Sequence, residues 1–441
     1  MERTYFNPAV ETMADDARLA MQLAKLEEQL AYVIERSPFY ARKLAGVTPA
    51  RVRSLADLAA LPFTEKSELL ASQTAVPPLG EHLAAPVESV IRVHASSGTT
   101  GRPSYVAITR RDRDAWSEVV GRVYWCEGVR PADVIIHGFG LSFFVGGLPL
   151  KDAIEEIGAM FVPIGVGASE RLVTTALDLR ATQLTCTPSY TQYLADYCRD
   201  KRGVDPRELG FRRVMLGAEP GGGIPAVRER IARDFDAKVT EGLGNADLVP
   251  VYAASCDEND GMHFLAPDHL LLEVVDPETG RALPVEDGVS GELVATHLDR
   301  EAAPLVRFRT RDRVTLSTTP CPCGRTGPRI RCLGRTDDML IVNGVNVWPS
   351  AIRDVVEAFA PETTGAFEVP LSEPPPKVAP PLRLRVEHAR GAVDLAALKK
   401  RLEGTLHDKL VVRADVVLVP EGTLPRFEMK ASYLKREYEE R

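Results

Sequence analysis

Between residues 15 and 36 (DDARLAMQLAKLEEQLAYVIER) apolar positions return every three or four residues. Acidic residues open this segment and Ser37-Pro38 closes it, which predicts an amphipathic helix. From about 90 to 250 the pattern changes to short β-rich runs separated by helical stretches. Residues 89–93, 133–136, 160–164, 183–186 and 213–216 predict strands, and 152–157 and 190–198 predict helices. Such alternation favours an α/β fold with a largely parallel sheet. Around 270–275 and 291–296 the text becomes turn-rich and strand-rich, as in a β subdomain. The pattern changes again near residue 334. Beyond it lie helices at 351–360 and 395–409 and strands at 382–386 and 414–419, with a Pro-rich surface connection at 373–381. The expected organisation is α/β: a large N-terminal α/β domain (1–334) with parallel sheets and a β subdomain, then a small α+β domain (335–441).

At about 150 residues per domain, 441 residues suggest two or three domains. The formal net charge of −8 argues against a general nucleic-acid binder, which usually carries a basic stripe. No apolar run reaches the roughly 18 residues of a membrane helix, because 141–167 is cut by Lys151, Asp152, Glu155 and Glu156. No secretory pattern opens the chain, and seven cysteines are an odd, sparse set. Both features lead us to expect a reducing, cytoplasmic setting with neither membrane nor nucleic acid as partner.

Candidate chemistry concentrates first at Ser96-Ser97-Gly98-Thr99-Thr100-Gly101-Arg102. Its glycines permit tight turns, its hydroxyls and amides can bind phosphate oxygens, and Arg102 adds a fixed positive charge. It is not a P-loop, since no Lys-Ser/Thr pair follows the second glycine. SSGTTGRP resembles the nucleotide-phosphate loop of the adenylate-forming superfamily. Other pieces occur in the order of the phenylacetate–CoA ligase family: SPFY at 37–40, LPFTEK at 61–66, TPSY at 187–190, GAEP at 217–220, RFRTRD at 307–312, GRTDDML at 334–340, GVNVWP at 344–349 and PRFEMK at 425–430. The resemblance spans about residues 37 to 432.

That resemblance implies ATP-dependent conversion of an aromatic carboxylic acid (benzoate, aminobenzoate or phenylacetate type) to an acyl-adenylate, with pyrophosphate released and the acyl group passed to coenzyme A. Two alternatives stay open: transfer to an amine, hydroxyl or carrier-protein thiol, and a degenerate nucleotide-binding regulatory protein. By the same resemblance the 96–102 loop cradles the polyphosphate, and Gly217, Ala218, Glu219 and Pro220 line the adenine pocket. Asp312 accepts from the ribose hydroxyls, a task that suits a carboxylate. Lys430 enters the cleft from a mobile C-terminal domain, and Arg335 and Asp337 stand at the pivot. The acyl pocket is expected from His137, Phe139, Gly140, Leu141, Phe144, Gly146, Ser189 and Tyr190. His137 is read as a wall residue, with pairing to a ring substituent as the alternative. Members of the family often form dimers, and the assembly state of this chain is left open.

The family's aromatic-Gly-x-Ser/Thr-Glu motif, whose Glu helps to hold Mg²⁺, is altered here to Glu241-Gly242-Leu243-Gly244-Asn245-Ala246-Asp247. Asn offers a hard cation a carbonyl but no charge. Whether Asn245, Asp247 or Glu241 serves Mg²⁺ is undecided by sequence, and Met429 stands where the family has glycine. Separately, Cys256, His263, Cys321 and Cys323 make a Cys₃His set that predicts a structural Zn²⁺ site. Some members of the family carry the same arrangement. The alternative is a chance pairing of unrelated thiols.

Overall fold

The structure is a computed structural model and describes residues 4–96, 104–427 and 431–439, without the Asp337 side chain. Ser97, Gly98, Thr99, Thr100, Gly101, Arg102, Met429 and Lys430 therefore lie outside the described residues.

The first amphipathic pattern forms one helix, Asp15–Arg36, whose buried face carries Leu26, Leu30 and Val33. Gln22 is buried on the same face and donates to the Pro267 carbonyl at 2.9 Å. A buried amide needs such a partner. The apolar runs that follow assemble into an 11-stranded sheet. Met160–Pro163, Val134–His137, Gln183–Cys186, Arg213–Leu216 and Lys238–Leu243 are parallel neighbours. Every residue of Gln183–Cys186 is buried, as a central parallel strand covered on both faces requires. Lys238–Leu243 then pairs antiparallel with Ala253–Ser255, and the sheet continues antiparallel through Met262–Phe264, Arg329–Arg335, Phe308–Ser317, Ser290–His297 and Leu270–Val275. Phe308–Ser317 alternates buried and half-buried positions, the period-two signature of one packed face.

The expected β subdomain is thus continuous with the parallel sheet. Adding strands to the open edge of Lys238–Leu243 satisfies backbone groups that would otherwise stay unpaired. The strand expected at 89–93 runs instead from Arg92 to Ser96 and forms a two-stranded ribbon with Ser104–Ile108. Residues 87–89 are a 3₁₀ turn after Pro86, so pairing begins only where the return arm is in reach.

Beyond Arg335 the chain builds a separate core from Leu340, Val355, Val369, Leu384, Leu402 and Val416, among others. A four-stranded sheet (Ala414–Pro420, Leu382–His388, Thr363–Leu371, Leu434–Arg436) carries the helices Pro349–Glu357 and Leu395–Leu410. The Pro-rich connection contributes a short strand, Lys377–Val378, parallel to Leu340–Val342. Among the described residues no helix is long and apolar enough to cross a membrane.

Candidate active site

In a parallel sheet the crevice outside the carboxyl ends of the strands is the usual ligand site. Four of the expected segments leave the sheet there: His137 ends one strand, Thr187–Tyr190 follows Gln183–Cys186, Gly217–Pro220 follows Arg213–Leu216, and Glu241 to Asn245 close Lys238–Leu243. A Cβ added to Gly217 would lie 3.7 Å from both Phe139 Cζ and the Gly242 carbonyl, so the acyl segment, GAEP and the altered motif meet around that glycine. Ala218 holds a left-handed φ of 71° just beyond it. Such a conformation disfavours side chains and persists only where its surroundings impose it.

Glu219 joins three parts of the site. Its Oε1 accepts the Ser189 amide at 2.6 Å and its Oε2 accepts the Ala431 amide at 2.7 Å. Arg353, buried, donates to the Pro220 carbonyl at 3.1 Å. Arg230 pairs with Glu357 at 2.9 Å, and Arg426 with Asp196 at 3.4 Å. These contacts seat the residues beyond 335 on the ends of the parallel strands, with the chain just after Lys430 held at the GAEP segment.

Asp312 lies 93 % buried in the strand Phe308–Ser317, opposite Arg335 in the ladder, with 3.7 Å between its carboxylate and that guanidinium. Arg335 also donates to the Thr310 carbonyl and accepts from Trp348 Nε1, both at 3.2 Å. Two contacts that sequence reading left without a role brace this corner. Glu65 pairs with Arg311 at 2.7 Å, and Lys66 donates to both Asp247 oxygens at 2.5 and 2.7 Å. The charges of Glu65 and Lys66 in the LPFTEK segment carry the sequence signal for both contacts.

The three candidate Mg²⁺ ligands are all engaged. Glu241 accepts the Gly223 amide at 2.6 Å, and burial pushes its carboxyl pKa up. Asn245 Oδ1 accepts the Asp247 amide at 2.9 Å, and Asp247 is held by Lys66. A Cβ on Gly244 would lie 1.7 Å from the Pro250 carbonyl oxygen, so no hydroxyl side chain fits there. The described residues do not fit a protein-held magnesium at this turn.

On the acyl side, the loop after His137 closes on itself: a Cβ on Gly146 would touch Phe139, and one on Gly147 would meet Gly140 and Leu141 at 2.7 Å. Phe144 bridges to Ala95, tying this loop to the strand that enters the phosphate-loop segment. At the neck of that segment Ser96 Oγ and Ser104 Oγ are buried without partners among the described residues. An anion seated beyond them is one way to satisfy such groups. His137 is fully buried with Nδ1 2.9 Å from Thr185 Oγ1, and burial lowers its pKa to about 4. It is a neutral ring packed against Phe139 and Phe161. Tyr190, expected in the pocket, is instead committed to the core: its hydroxyl lies 2.9 Å from Ser169 Oγ and its ring stacks on Tyr193. The first residues of a helix alternate between cleft and core, and at this helix start it is the Ser189 amide that meets Glu219.

Away from the cleft, Cys256, His263, Cys321 and Cys323 place their ligand atoms within 4.8 Å of one another. Cys256 and Cys321 sulfurs are 3.7 Å apart, and Cys323 Sγ is 3.3 Å from His263 Nε2. A tetrahedron with Zn–S bonds of about 2.3 Å has an S–S edge of roughly 3.8 Å. The donor set and spacing fit zinc.

A family model described as AMP-binding enzyme matches residues 4–297, and one described as AMP-binding enzyme C-terminal domain matches 344–436. A phenylacetate–coenzyme A ligase of Thermus thermophilus is 39 % identical over 96 % of this chain and 97 % of its own length. A crystal structure of 2-hydroxyisobutyryl-CoA ligase in the postadenylation state superposes with a TM-score of 0.92 at 30 % identity, covering 99 % of this chain and 93 % of that one. The same ligase in its thioesterification state gives 0.73 at 31 % identity over the same shares. The two lobes of this chain are therefore arranged more like the former. With these matches over nearly its whole length, the chain belongs to the adenylate-forming AMP-binding enzymes, within their phenylacetate–CoA ligase family.

Proposed function

We propose that this chain is an ATP-dependent, AMP-forming ligase that joins an aromatic carboxylic acid of benzoate, aminobenzoate or phenylacetate type to coenzyme A. The carrying observation is the Glu219 carboxylate, which accepts one amide from the acyl side and one from the residue after Lys430. Four relatives named phenylacetate–coenzyme A ligase, at 32 to 39 % identity, support both the acid and the acceptor. In the first step a carboxylate oxygen of the acid attacks the α-phosphorus of ATP and pyrophosphate leaves. In the second the thiol sulfur attacks the acyl carbon and AMP leaves.

In this reading residues 96–102 hold the polyphosphate, Gly217–Pro220 the base and Asp312 the ribose. Lys430 brings positive charge to the carboxylate and α-phosphate, where a preorganised cation stabilises the charge that develops. Arg335 and Asp337 form the pivot, so the chain divides at 334/335. Phe139, Gly140, Leu141, Phe144 and Gly146 shape the acyl pocket, with His137 behind them as a neutral wall. Cys256, His263, Cys321 and Cys323 would hold zinc; four protein ligands leave no open position, so its role is to staple the antiparallel half of the sheet. The test is pyrophosphate release over a panel of benzoates, aminobenzoates and phenylacetates, with acyl-CoA measured as product. Adenylation with no thioester formed sinks the acceptor; no adenylation of any aryl acid sinks the whole reading.

A further inference from the structure

We infer that the altered turn at residues 241–247 supplies no carboxylate to a divalent cation at the nucleotide site, Asp247 being held instead by Lys66. The inference rests on the ligase reading, which puts the nucleotide beside this turn. The acidic and amide side chains of the turn each already have a partner. Both oxygens of Asp247 lie within 2.7 Å of one ammonium, and the Asp247 side chain is 9 % exposed. Pulling it onto a metal strands Lys66 beside a second cation. Glu241 packs onto Gly222 and Gly223 and accepts the Gly223 amide at 2.6 Å; a Cβ at either glycine would come within 2.6 Å of it, so those residues are built around its side chain. Asn245 carries no charge, and its Oδ1 holds the turn through the Asp247 amide.

A second observation is independent of these bonds. The Pro250 carbonyl occupies the space of any side chain at 244, so the neighbouring hydroxyl of the family motif is sterically closed as well. Both polar positions of the motif have been lost together, and a cation from a distant helix start now stands at the turn. A site of this kind repels metal-free nucleotide less than one with an unpaired carboxylate, and it adds no protein charge to the grip on a metal. Magnesium then rides on the nucleotide's own phosphates.

The experiment is calorimetric binding of α,β-methylene-ATP to the full-length protein in excess Mg²⁺ and in EDTA, with Asn245→Glu alongside. The expected wild-type Kd differs less than fivefold between the two conditions, and the variant's differs at least tenfold more than that. A wild-type loss of fivefold or more in EDTA overturns the inference, and so does a folded variant that matches wild type. If the variant does not fold, the wild-type ratio alone decides. Absence of binding in both conditions instead sinks the ligase reading on which the inference stands.

Discussion

Glu219 and Ala431, 212 positions apart in the chain, are joined by a 2.7 Å hydrogen bond from the Ala431 amide to a carboxylate oxygen. The same carboxylate holds Ser189, so the approach of the C-terminal segment and the shape of the acyl side depend on one group. Hydrogen bonds to charged groups contribute about 1.5–3 kcal/mol. Glu219→Ala should therefore slow pyrophosphate exchange by on the order of 10- to 100-fold. Thioester formation from supplied acyl-adenylate should change much less, because the proposed pivot at Arg335 and Asp337 would move the C-terminal segment to another pose for that step. Equal losses in both half-reactions would show that the contact is general scaffolding.

Lys430 has a sharper expectation. Lys430→Ala should reduce adenylation by about 10²–10³, the usual loss when one preorganised charge stabiliser is removed. Pyrophosphate exchange at the wild-type rate in that variant would remove the residue from the mechanism.

The Cys₃His cluster predicts about one zinc per chain by elemental analysis of protein purified without chelator. Cys323→Ser should lower that content and reduce Tm by several degrees, while Cys332→Ser should leave both unchanged, because Cys332 sits across from Val314 and outside the cluster. Folded, metal-free wild-type protein would refute the site.

His269 gives the stability of the protein a pH dependence. Its Nδ1 lies 2.7 Å from Asp299, and Asp268 and Glu118 approach Nε2 at 3.5 and 3.9 Å. Arg122 and Lys25 sit on the outer sides of the same carboxylates. Burial by itself lowers the imidazole pKa, but the hydrogen bond to Asp299 and the nearby Glu118 and Asp268 carboxylates outweigh it and raise the value to about 9. A folded pKa above the unfolded one stabilises fully below about pH 6.5, and that contribution disappears as pH rises through 9. Unfolding free energy should fall by on the order of 2–3 kcal/mol between pH 6.5 and 10, and His269→Gln should flatten the slope. An unchanged slope in the variant would assign the effect elsewhere.

Much of this protein was legible before any fold was drawn. The strand runs at 133–136, 160–164, 183–186 and 213–216 became neighbours in one parallel sheet, and the 15–36 pattern became one helix. Element type is set by neighbours a few positions away, through periodicity and turn chemistry, so sequence carries it. The clustering of Cys256, His263, Cys321 and Cys323 was legible for a similar reason, since few residue types make such donors.

What the chain alone determined is the inventory: which segments are strands, which loops carry glycines and charges, and in what order the motifs fall. Tertiary structure alone decided which of those groups remain available. Lys66 and Asp247 are 181 positions apart, Gly244 is closed by Pro250 across a turn, and Tyr190 turns to Ser169 rather than to the cleft. Ion pairing and close packing depend on distances between parts of the chain that sequence separates and folding joins, so no local pattern records them.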